Sequence, residues 1–577
     1  MRRYLSAALV LLLVMAAGAC AAEFEVRDVY SRRGMVSSAH ELASRAGVEI
    51  MERGGNAIDA AVATMLALNV VEPNASGLGG GGFSTIRFAK TGEVVELDYR
   101  EIAPLSATKD MYASEASKKA RESVLGGKAV GVPGIVMGVF TMLEKYGTMT
   151  FAEVAEPAIR LAEEGFEVHP MQNGIINDEY DKLAKYSPVC AFLPDGLPAE
   201  AGSILKQPEL AGAFRLLAKD GPNAFYRGPI GEAVVAAVNG AGGDMSMKDL
   251  NNYSMEIRTP VKGTYRGYSI YSTPPASSGG THIVQLLNIM ENFQVSSWGH
   301  NSPTYLHHLA EAMKMVFADR QRYMADTAFV DVPLKGLASK EYARTQADKI
   351  TPFEAAAEVL PGNPWRYDEA KEVAYQGHDG NKHVSTSSFS VVDAAGNIVA
   401  STNTVNFFFG SGVVVPEYGI VLNNEMDDFA QDPASVNAPE PGKRPLSSMS
   451  PTIVIDPEGR PFMTLGSAGA MRIITALSQI IMNVVDFGMT MDEAIEQPRI
   501  FNSAGGGKAG QLLVEGGISP KTATFLRFMG HDVVERDRDG YFGTAQGIMF
   551  NYSVPKASRF RINGGADSRR LGVPVGF

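Results

Sequence analysis

The stretch HVSTSSFSVVDAAGNIVASTNTVNFFFGSG, from His383 to Gly412, decides the fold of this chain. Its two runs of β-branched and apolar residues predict two β-strands, and Ala394, Ala395 and Gly396 predict a short turn between them. Because side chains alternate along a strand, hydroxyl and amide groups collect on one face of the hairpin. These residues are Thr386, Ser388 and Ser390 on the first strand, and Thr402, Thr404 and Asn406 on the second.

The turn also predicts the register of the hairpin. A three-residue turn centred on Ala395 sets Thr404 directly opposite Thr386, where the two hydroxyl groups can interact. A single-residue bulge at Gly396 would shift this register.

Composition narrows the class of protein. The chain has 577 residues, a net charge of -12 and a pI near 5.4. This acidic balance argues against nucleic acid or an anionic membrane surface as a partner. Length alone does not choose between one large core and several domains.

The N-terminal residues 1–21 have the layout of a secretory signal. Arg2 and Arg3 precede an apolar run from Ala7 to Ala17, and small residues follow. The run is too short to span a bilayer comfortably, and no later apolar stretch is long enough for a transmembrane helix. We therefore expect export to the periplasm or the extracellular space, with lipidation of Cys20 as the alternative. Cys190 is then unpaired, so core packing rather than disulfides must stabilise the protein.

Helical periodicity is clear after the signal. It predicts helices over 41–53 and 57–70, the second buried because it is apolar almost all round. The glycines Gly79 to Gly82 favour close backbone packing at the wall of a site over a phosphate loop, since no Gly-Lys-Ser/Thr follows. Two more helical patterns lie between residues 131 and 168.

A predicted hairpin over 84–101 ends in the charged cluster Asp98, Arg100 and Glu101. A solvated strand end is the default interpretation. Arg100 matters more if it faces a cleft, because guanidinium binds carboxylate bidentately.

Three further segments carry residues that bear on function. A long helix over 303–324 carries His307 and His308 beside Glu311, but no second ligand cluster is evident, which favours satisfied or exposed histidines over a metal site. Residues 351–385 lack a clear period and predict a mobile segment before the hairpin. The passage from a strand through 466–470 into an apolar helix exposes backbone N–H groups, which suits either an oxyanion site or an ordinary strand-to-helix turn.

Seven segments, in order, resemble the γ-glutamyltranspeptidase family of N-terminal nucleophile hydrolases. They are GMVSSAHELASRAGVEIMERGGNAIDAAVA, ASGLGGGGF, DYREIAP, TPPASSGG, HLAEAMKMVFADR, NNEMDDF and KRPLSSMSPTIV. The resemblance extends from about Gly34 to the C-terminus. It implies an α+β fold, a four-layer αββα sandwich built from two autoprocessed subunits. The large subunit is then 22–385 and the small catalytic subunit 386–577, so the cut divides one domain.

Family precursors cleave themselves before a threonine, and STSSFSVVD is similar to that processing site. The scissile bond is then between Ser385 and Thr386. The chemistry supports this choice, because a threonine hydroxyl needs a base and a newly formed α-amino group can supply one. The ordinary pKa of that amine, about 7.7 to 8.0, lies close to working pH.

The resemblance also implies the remaining roles. Thr404 hydrogen-bonds Thr386, and Gly469 and Ala470 present oxyanion-stabilising N–H groups. The substrate's α-carboxylate is held by Arg100, Ser447 and Ser448. Its α-ammonium group is held by Asn406, Glu425 and Asp428. The implied reaction forms a γ-glutamyl-threonine intermediate that water hydrolyses or an amino acid or peptide intercepts. No metal or organic cofactor is implied, and the partners are glutathione-like substrates and the second subunit of a heterodimer.

The chain departs from the family pattern in three places. Ser388 stands where the family usually has His, Ala470 replaces the second glycine of the oxyanion pair, and 430–442 is shorter than in members with a lid. The open site favours hydrolysis over transfer. Two alternatives remain: a glutaryl-type acylase of the same fold, and an unprocessed homologue that only binds γ-glutamyl peptides. The natural γ-glutamyl substrate and the oligomeric state stay open.

Overall fold

The computed structural model describes residues 28–369, 385–505, 507–553 and 561–577. The predicted signal over 1–21 lies outside these residues, as do 370–384 of the predicted mobile segment. Residues 351–369 lie against the helices before them, with Trp365 buried and Gly362 accepting a hydrogen bond from the Tyr323 hydroxyl. No helix in the described part of the chain is long and apolar enough to cross a membrane.

Two seven-stranded antiparallel sheets form the centre of the molecule. Their strands in chain order are β1 (Val29–Ser31), β2 (Met35–Ser38), β3 (Gly81–Arg87), β4 (Val94–Tyr99), β5 (Glu256–Arg258), β6 (Val261–Tyr265), β7 (Tyr268–Ser272), β8 (Ser387–Val392), β9 (Ile398–Thr404), β10 (Thr452–Ile455), β11 (Pro461–Ala468), β12 (Thr544–Asn551), β13 (Arg561–Ala566) and β14 (Val573–Gly576). The first sheet has the order β1-β13-β12-β11-β10-β7-β6, and the second β14-β2-β8-β9-β3-β4-β5. Each sheet contains strands from both sides of residue 386.

Helices of eight or more residues pack around these sheets. In the described residues they are α1 (Glu41–Glu52), α2 (Ala57–Val71), α3 (Ile135–Tyr146), α4 (Phe151–Glu164), α5 (Pro170–Asp178), α6 (Pro208–Asp220), α7 (Pro229–Gly240), α8 (Gly279–Met290), α9 (Pro303–Tyr323), α10 (Lys340–Ala347), α11 (Arg472–Phe487) and α12 (Pro520–Phe528). Helix α2 contacts β8 and β9, whereas α8 contacts β6 and β7, and α11 contacts β11 and β12.

Shorter elements connect these. The helices are Glu115–Ala120, Tyr180–Tyr186, Asn223–Tyr226, Met247–Asn252, Val295–Trp298, Leu334–Leu337 and Met491–Glu496. The strands are Phe166–Glu167, Ile204–Leu205, Val414–Val415, Ile420–Val421, Ile500–Phe501, Ala504–Gly505, Lys508–Ala509, Leu512–Glu515 and Val533–Arg536.

The predicted burial of α2 is confirmed, because every one of its residues is buried. An apolar helix with no polar face is stable only where both of its sides are covered. Asn56 and Asp59 cap its first turn, satisfying N–H groups that would otherwise be unpaired. This helix supports the strands that carry the predicted nucleophile.

The hairpin at 387–404 has the predicted register. Ser387 pairs with Asn403 and Val392 with Ile398, so the pairing mirrors about Ala395 and no bulge shifts it. Gly396 takes a φ of +86°, a left-handed conformation that glycine adopts without steric cost. The hairpin lies in the middle of the second sheet, between β2 and β3.

The two sheets face each other across a mixed polar and apolar layer. The Ser390 and Thr464 hydroxyls lie 3.5 Å apart across it, and the Ser388 hydroxyl donates to Gln546 Oε1 at 2.8 Å. Apolar side chains that include Val392, Ile453 and Ile548 fill the space beside them. The polar face predicted for the hairpin is therefore the inner face of a sheet.

Candidate active site

Thr386 lies immediately before β8, with only 4% of the residue exposed. Its hydroxyl is 3.2 Å from the Thr404 hydroxyl and also contacts the carbonyl oxygen of Ser385. The nucleophile predicted from sequence thus lies against the carbonyl group of the bond it is predicted to cleave.

Thr404 lies at the end of β9 and links the neighbouring groups. Its hydroxyl donates to Ser385 O at 3.3 Å and accepts from the backbone N–H of Asn406 at 2.8 Å. Asn406 was expected to continue the strand face, but β9 ends at Thr404 and Asn406 has a φ of +75°. That left-handed bend, which asparagine tolerates, directs its amide to donate to Asn424 O at 3.0 Å.

The glycine run at 79–82 allows this close packing. A side chain on Gly80 would collide with the carbonyl oxygen of Thr404, and one on Gly81 with the carboxylate of Glu101. The prediction of close backbone approach is therefore confirmed. Gly81 pairs with Thr404, so the Glu101 carboxylate fills the space beside Thr404 that a side chain on Gly81 would occupy.

The charged cluster after β4 is buried, which corrects the expectation of a solvated strand end. Arg100, Glu101 and Asp98 are each 0% exposed. Arg100 contacts Glu425 through Nη1 and Asp428 through Nη2, the second at 2.5 Å, and its Nε donates to Pro445 O at 3.2 Å. The loop that carries Glu425 and Asp428 covers the end of β4, so the charges pair with each other instead of with water.

Burial raises the pKa of Glu101, Glu425 and Asp428. For Arg100, burial lowers the pKa, but the charges of Glu425 and Asp428 outweigh it and the net shift is upward. Within the described residues, both carboxylate oxygens of Glu101 and Oε2 of Glu425 have no hydrogen-bond partner. These oxygens are suited to accept N–H donors from a cationic group.

The two serines predicted to bind carboxylate lie beside a second buried arginine. Ser448 Oγ accepts from Arg320 Nη2 at 3.1 Å, and Arg320 Nε donates to Ser278 Oγ at 2.8 Å. Ser447 is held through its own backbone, whose carbonyl accepts from Ser278 N at 2.9 Å. The sequence analysis missed Arg320, although it ends the quoted segment HLAEAMKMVFADR.

The predicted oxyanion residues follow β11 and precede α11. Ser390 faces Thr464, and the Ser388 hydroxyl is 2.8 Å from where a Cβ on Gly466 would be. Ser390 thus faces residue 464 and Ser388 faces residue 466. Continuing this pattern by two residues brings Ala468, at the end of β11, toward Thr386. Gly469 and Ala470 have φ values of +137° and +54°, so the chain bends sharply here. Their role as oxyanion donors stays a prediction.

The family model for Gamma-glutamyltranspeptidase matches residues 43–577. This chain belongs to the γ-glutamyltranspeptidase family.

Several relatives in this family are similar over nearly the whole chain. A "Glutathione hydrolase proenzyme" of Bacillus subtilis is 38% identical, covering 96% of this chain and 93% of that protein. The "Glutathione hydrolase proenzyme" of Escherichia coli is 40% identical, covering 90% and 89%. An "Acylase ACY 1 proenzyme" of a Pseudomonas species is 39% identical, covering 96% and 95%.

Solved structures agree with this family. A cephalosporin acylase from Bacillus halodurans superposes with a TM-score of 0.85 at 28% identity, covering 97% of this chain and 98% of that one. The Helicobacter pylori γ-glutamyltranspeptidase has a TM-score of 0.55 at 40% identity, covering 58% and 97%. The fold is therefore a mixed α/β fold with antiparallel sheets, shared with this group of enzymes.

Two departures from the γ-glutamyltranspeptidase pattern have a structural description. The Ser388 hydroxyl donates to Gln546 on the facing sheet. It lies close to Gly466, where the absence of a side chain leaves room for it. Ala470, in place of a second glycine, occupies the left-handed region at a cost of about 1 kcal/mol.

The histidines of α9 form a buried cluster with a residue that the sequence analysis missed. His307 and His308 are hydrogen-bonded, as predicted, and His307 Nδ1 lies 2.8 Å from His531 Nε2. His307, His531 and Glu311 form the one group of possible metal ligands found in the described residues. The Lys314 ammonium donates to Glu311 Oε1 at 2.7 Å, a charge that opposes a cation there. The cluster joins α9 to the segment near residue 531 through hydrogen bonds.

Proposed function

We propose that this chain is the precursor of a γ-glutamyltranspeptidase that cleaves γ-glutamyl amide bonds and passes the γ-glutamyl group to water, an amino acid or a peptide. Thr386 is the nucleophile. The observation that carries the proposal is the position of the Thr386 hydroxyl, which contacts the Ser385 carbonyl and lies 3.2 Å from the Thr404 hydroxyl. The buried Arg100 cluster lies at the same ends of the strands.

Self-cleavage starts from the contact between Thr386 and Ser385. The Thr386 oxygen attacks the Ser385 carbonyl carbon, the C–N bond breaks, and the hydroxyl proton passes to the departing nitrogen. That nitrogen becomes the free α-amino group of Thr386, and water hydrolyses the resulting ester. Thr404 donates to Ser385 O at 3.3 Å, where negative charge develops during this attack.

Turnover repeats the chemistry on the substrate. The α-amino group accepts the Thr386 hydroxyl proton while the oxygen attacks the γ-carbonyl carbon. The backbone N–H groups of Gly469 and Ala470 stabilise the oxyanion. The C–N bond breaks, the leaving amine takes the proton, and water or a second amine then releases the γ-glutamyl group.

The buried charges recognise the glutamyl end. The α-carboxylate binds Arg100, Ser447 and Ser448, and Arg320 beside Ser448 adds a second guanidinium. The α-ammonium group is held by the carboxylates of Glu425 and Asp428 and by Asn406. In the structure, Glu425 and Asp428 contact Arg100. The substrate's carboxylate and ammonium groups therefore replace contacts that Arg100 makes with Glu425 and Asp428. Because these three side chains pair with each other when no substrate is bound, the empty site holds no unpaired buried charge.

The proposed maturation divides the chain into a large subunit, 22–385, and a small subunit, 386–577, which remain together as a heterodimer. The two facing sheets with α2 on one side and α8 and α11 on the other support a four-layer αββα sandwich. Residues 1–21 serve as the export signal, placing the enzyme in the periplasm or outside the cell. No cofactor is required by this mechanism.

A glutaryl-type acylase is the second candidate, and the acylase names among the relatives and structures favour testing it. Glutaryl substrates lack an α-ammonium group, so they give Glu425 and Asp428 no cation to bind. Steady-state rates with a γ-glutamyl anilide and its glutaryl analogue separate the two. We expect the γ-glutamyl compound to be preferred, and a clear preference for glutaryl would reassign the activity.

Cleavage itself is tested on a denaturing gel. We expect two fragments from the parent, divided before Thr386, and a single uncut chain from Thr386→Ala. Thr386→Ser, which keeps a hydroxyl, is the matched control and should still cleave. An active Thr386→Ala enzyme, a cut elsewhere, or an uncut parent would contradict the mechanism.

A further inference from the structure

Three phenylalanine side chains on the surface have no role in the mechanism. Phe353, Phe525 and Phe528 are 74%, 55% and 82% exposed. Phe525 and Phe528 are three residues apart on α12, so they lie on the same face of that helix. The opposite face of α12 buries Leu526 in the core, which leaves the two rings in water.

The loop 351–361, which carries Phe353, lies against the end of α12. The backbone N–H of Ala355 donates to Met529 O at 2.6 Å. Phe353 is two residues before Ala355, and Phe528 directly precedes Met529, so the loop and the helix bring the rings to one place on the surface. Phe353, Phe525 and Phe528 are called the aromatic patch below.

Buried hydrogen bonds hold both parts of this surface in place. His307 Nε2 lies 2.7 Å from Thr351 O at the start of the loop, and His307 Nδ1 lies 2.8 Å from Nε2 of His531, just after α12. Lys314 on α9 donates to Ala356 O at 2.9 Å. The loop and the end of α12 are therefore both fixed to α9. A partner that binds this preformed surface loses little entropy in ordering it.

The exposed apolar area suits a protein interface. A fully exposed phenylalanine side chain offers about 200 Å², so the three rings together expose roughly 400 Å². Leu360, which is 63% exposed in the same loop, adds to this area. Apolar patches of this size often mark interaction sites. Because a standard interface buries about 800 Å² on each partner, the aromatic patch is large enough to form the apolar core of one.

The charges around the aromatic patch differ between its two parts. They are Lys521 and Arg527 on α12, and Glu354 and Glu358 in the loop 351–361. Arg527 pairs with Glu535 at 2.9 Å. Glu358 faces the basic Lys508 across a β-bridge, so these two charges offset each other. Lys521 and Glu354 then carry the charge that the helix and the loop present to a partner.

We propose that the aromatic patch is the interface through which two copies of this protein form a symmetric dimer. A two-fold axis that runs between α12 and the loop lays the basic helix of one copy on the acidic loop of the other. The rings then pack together, and Lys521 of each copy meets Glu354 of the other, so the surface is complementary to itself.

A bilayer surface fits the same patch less well. Glu354 stands directly beside Phe353, and the chain has a net charge of -12, so an anionic headgroup layer would repel it. The dimer also crosses the proposed cleavage point, because the loop precedes residue 386 and α12 follows it. The inference concerns assembly and does not depend on the proposed activity.

The test measures the mass of the exported protein, residues 22–577, by sedimentation velocity. At about 10 μM we expect twice the mass of one copy. Phe528→Glu should raise the Kd of the dimer at least about 100-fold, because symmetry places two carboxylates in the apolar core. Val189→Glu is the matched control: Val189 is 87% exposed beside the start of α6, and its replacement should leave the Kd unchanged.

A charge exchange tests how the two copies are arranged. Lys521→Glu and Glu354→Lys should each raise the Kd severalfold, since either change sets like charges against each other twice. The two changes combined should return the Kd to near that of the parent, because the pairs form again with exchanged signs. Thermal unfolding of each variant checks the fold, and the melting temperatures should match that of the parent because these side chains are exposed.

Three results would overturn the inference. The first is a parent that stays monomeric at about 10 μM. The second is a dimer that Phe528→Glu or either single charge variant fails to weaken. The third is a monomer that floats with vesicles of phosphatidylethanolamine and phosphatidylglycerol and loses this binding in Phe528→Glu, which would assign the aromatic patch to a membrane. None of these measurements uses catalysis, so a failure of the proposed function is seen separately with the γ-glutamyl anilide.

Discussion

Replacing Thr404 by valine removes a hydroxyl group and keeps the shape of the side chain. In the structure that hydroxyl lies 3.2 Å from the Thr386 oxygen, donates to Ser385 O at 3.3 Å and accepts from Asn406 N–H at 2.8 Å. The residue is 3% exposed, so water does not readily replace these contacts. Thr404→Val therefore tests whether the hydroxyl supports the nucleophile.

The size of the effect follows from the hydrogen bonds lost. A hydrogen bond to a charged group contributes about 1.5 to 3 kcal/mol, and the Thr386 oxygen gains negative charge during attack. At about 1.4 kcal/mol per tenfold, Thr404→Val should slow turnover by about 10- to 150-fold. Self-cleavage should slow by a similar factor, because the contact with Ser385 O is lost too. The orphaned Asn406 N–H should also cost about 1 to 3 kcal/mol of stability.

Three measurements check this prediction. The rate of appearance of the two fragments on a denaturing gel reports self-cleavage, and kcat of the processed enzyme with a γ-glutamyl anilide reports turnover. Thermal unfolding reports the stability cost. Thr404→Ser keeps the hydroxyl and should stay within a few-fold of the parent in both rates. If Thr404→Val cleaves itself and turns over within twofold of the parent, the hydroxyl has no role in the chemistry.

Two further predictions concern buried groups outside the reaction. Burial raises the pKa of Glu96 from about 4.5 to about 8. Between these two pH values the folded protein holds a proton that the unfolded chain releases, so stability should fall as pH rises through this window. Glu96→Gln should remove that fall. Thermal unfolding at pH 6 and pH 9 checks this, and an equal loss in both proteins would refute it. Ser388→Ala leaves the amide oxygen of Gln546 unpaired, so it should cost about 1 to 3 kcal/mol of stability with kcat within twofold of the parent. A tenfold fall in kcat at an unchanged melting temperature would instead place Ser388 in the mechanism.

The neutral state of Glu96 has support in its hydrogen bonds. The Thr85 hydroxyl lies 2.6 Å from Glu96 Oε2 and 2.8 Å from the carbonyl oxygen of Pro451. A hydroxyl has one proton, and the carbonyl can only accept it. A proton on Glu96 then completes the bridge to Thr85. Glu96 was not singled out from the sequence, because it alternates within an ordinary strand pattern.

The sequence by itself determined the features that depend on local geometry. The turn at Ala394–Gly396 set the register of β8 and β9, since antiparallel pairing mirrors about the centre of the turn. The burial of α2 followed from its lack of a polar face, and the glycines at 79–82 indicated close approach of backbone. The seven ordered segments identified the family, and therefore the candidate residues, before any contact was known.

The tertiary structure decided which distant side chains meet. Burial of Arg100 depends on the loop that carries Glu425 and Asp428, more than 300 residues later, so the short segment around Arg100 gave no sign of it. Arg320, Arg570 and His531 were missed for the same reason. Alternation and periodicity record which face a residue occupies within its own element, whereas charge pairing depends on where separate elements pack. That packing is what placed Arg570 on the carbonyl group of Thr386.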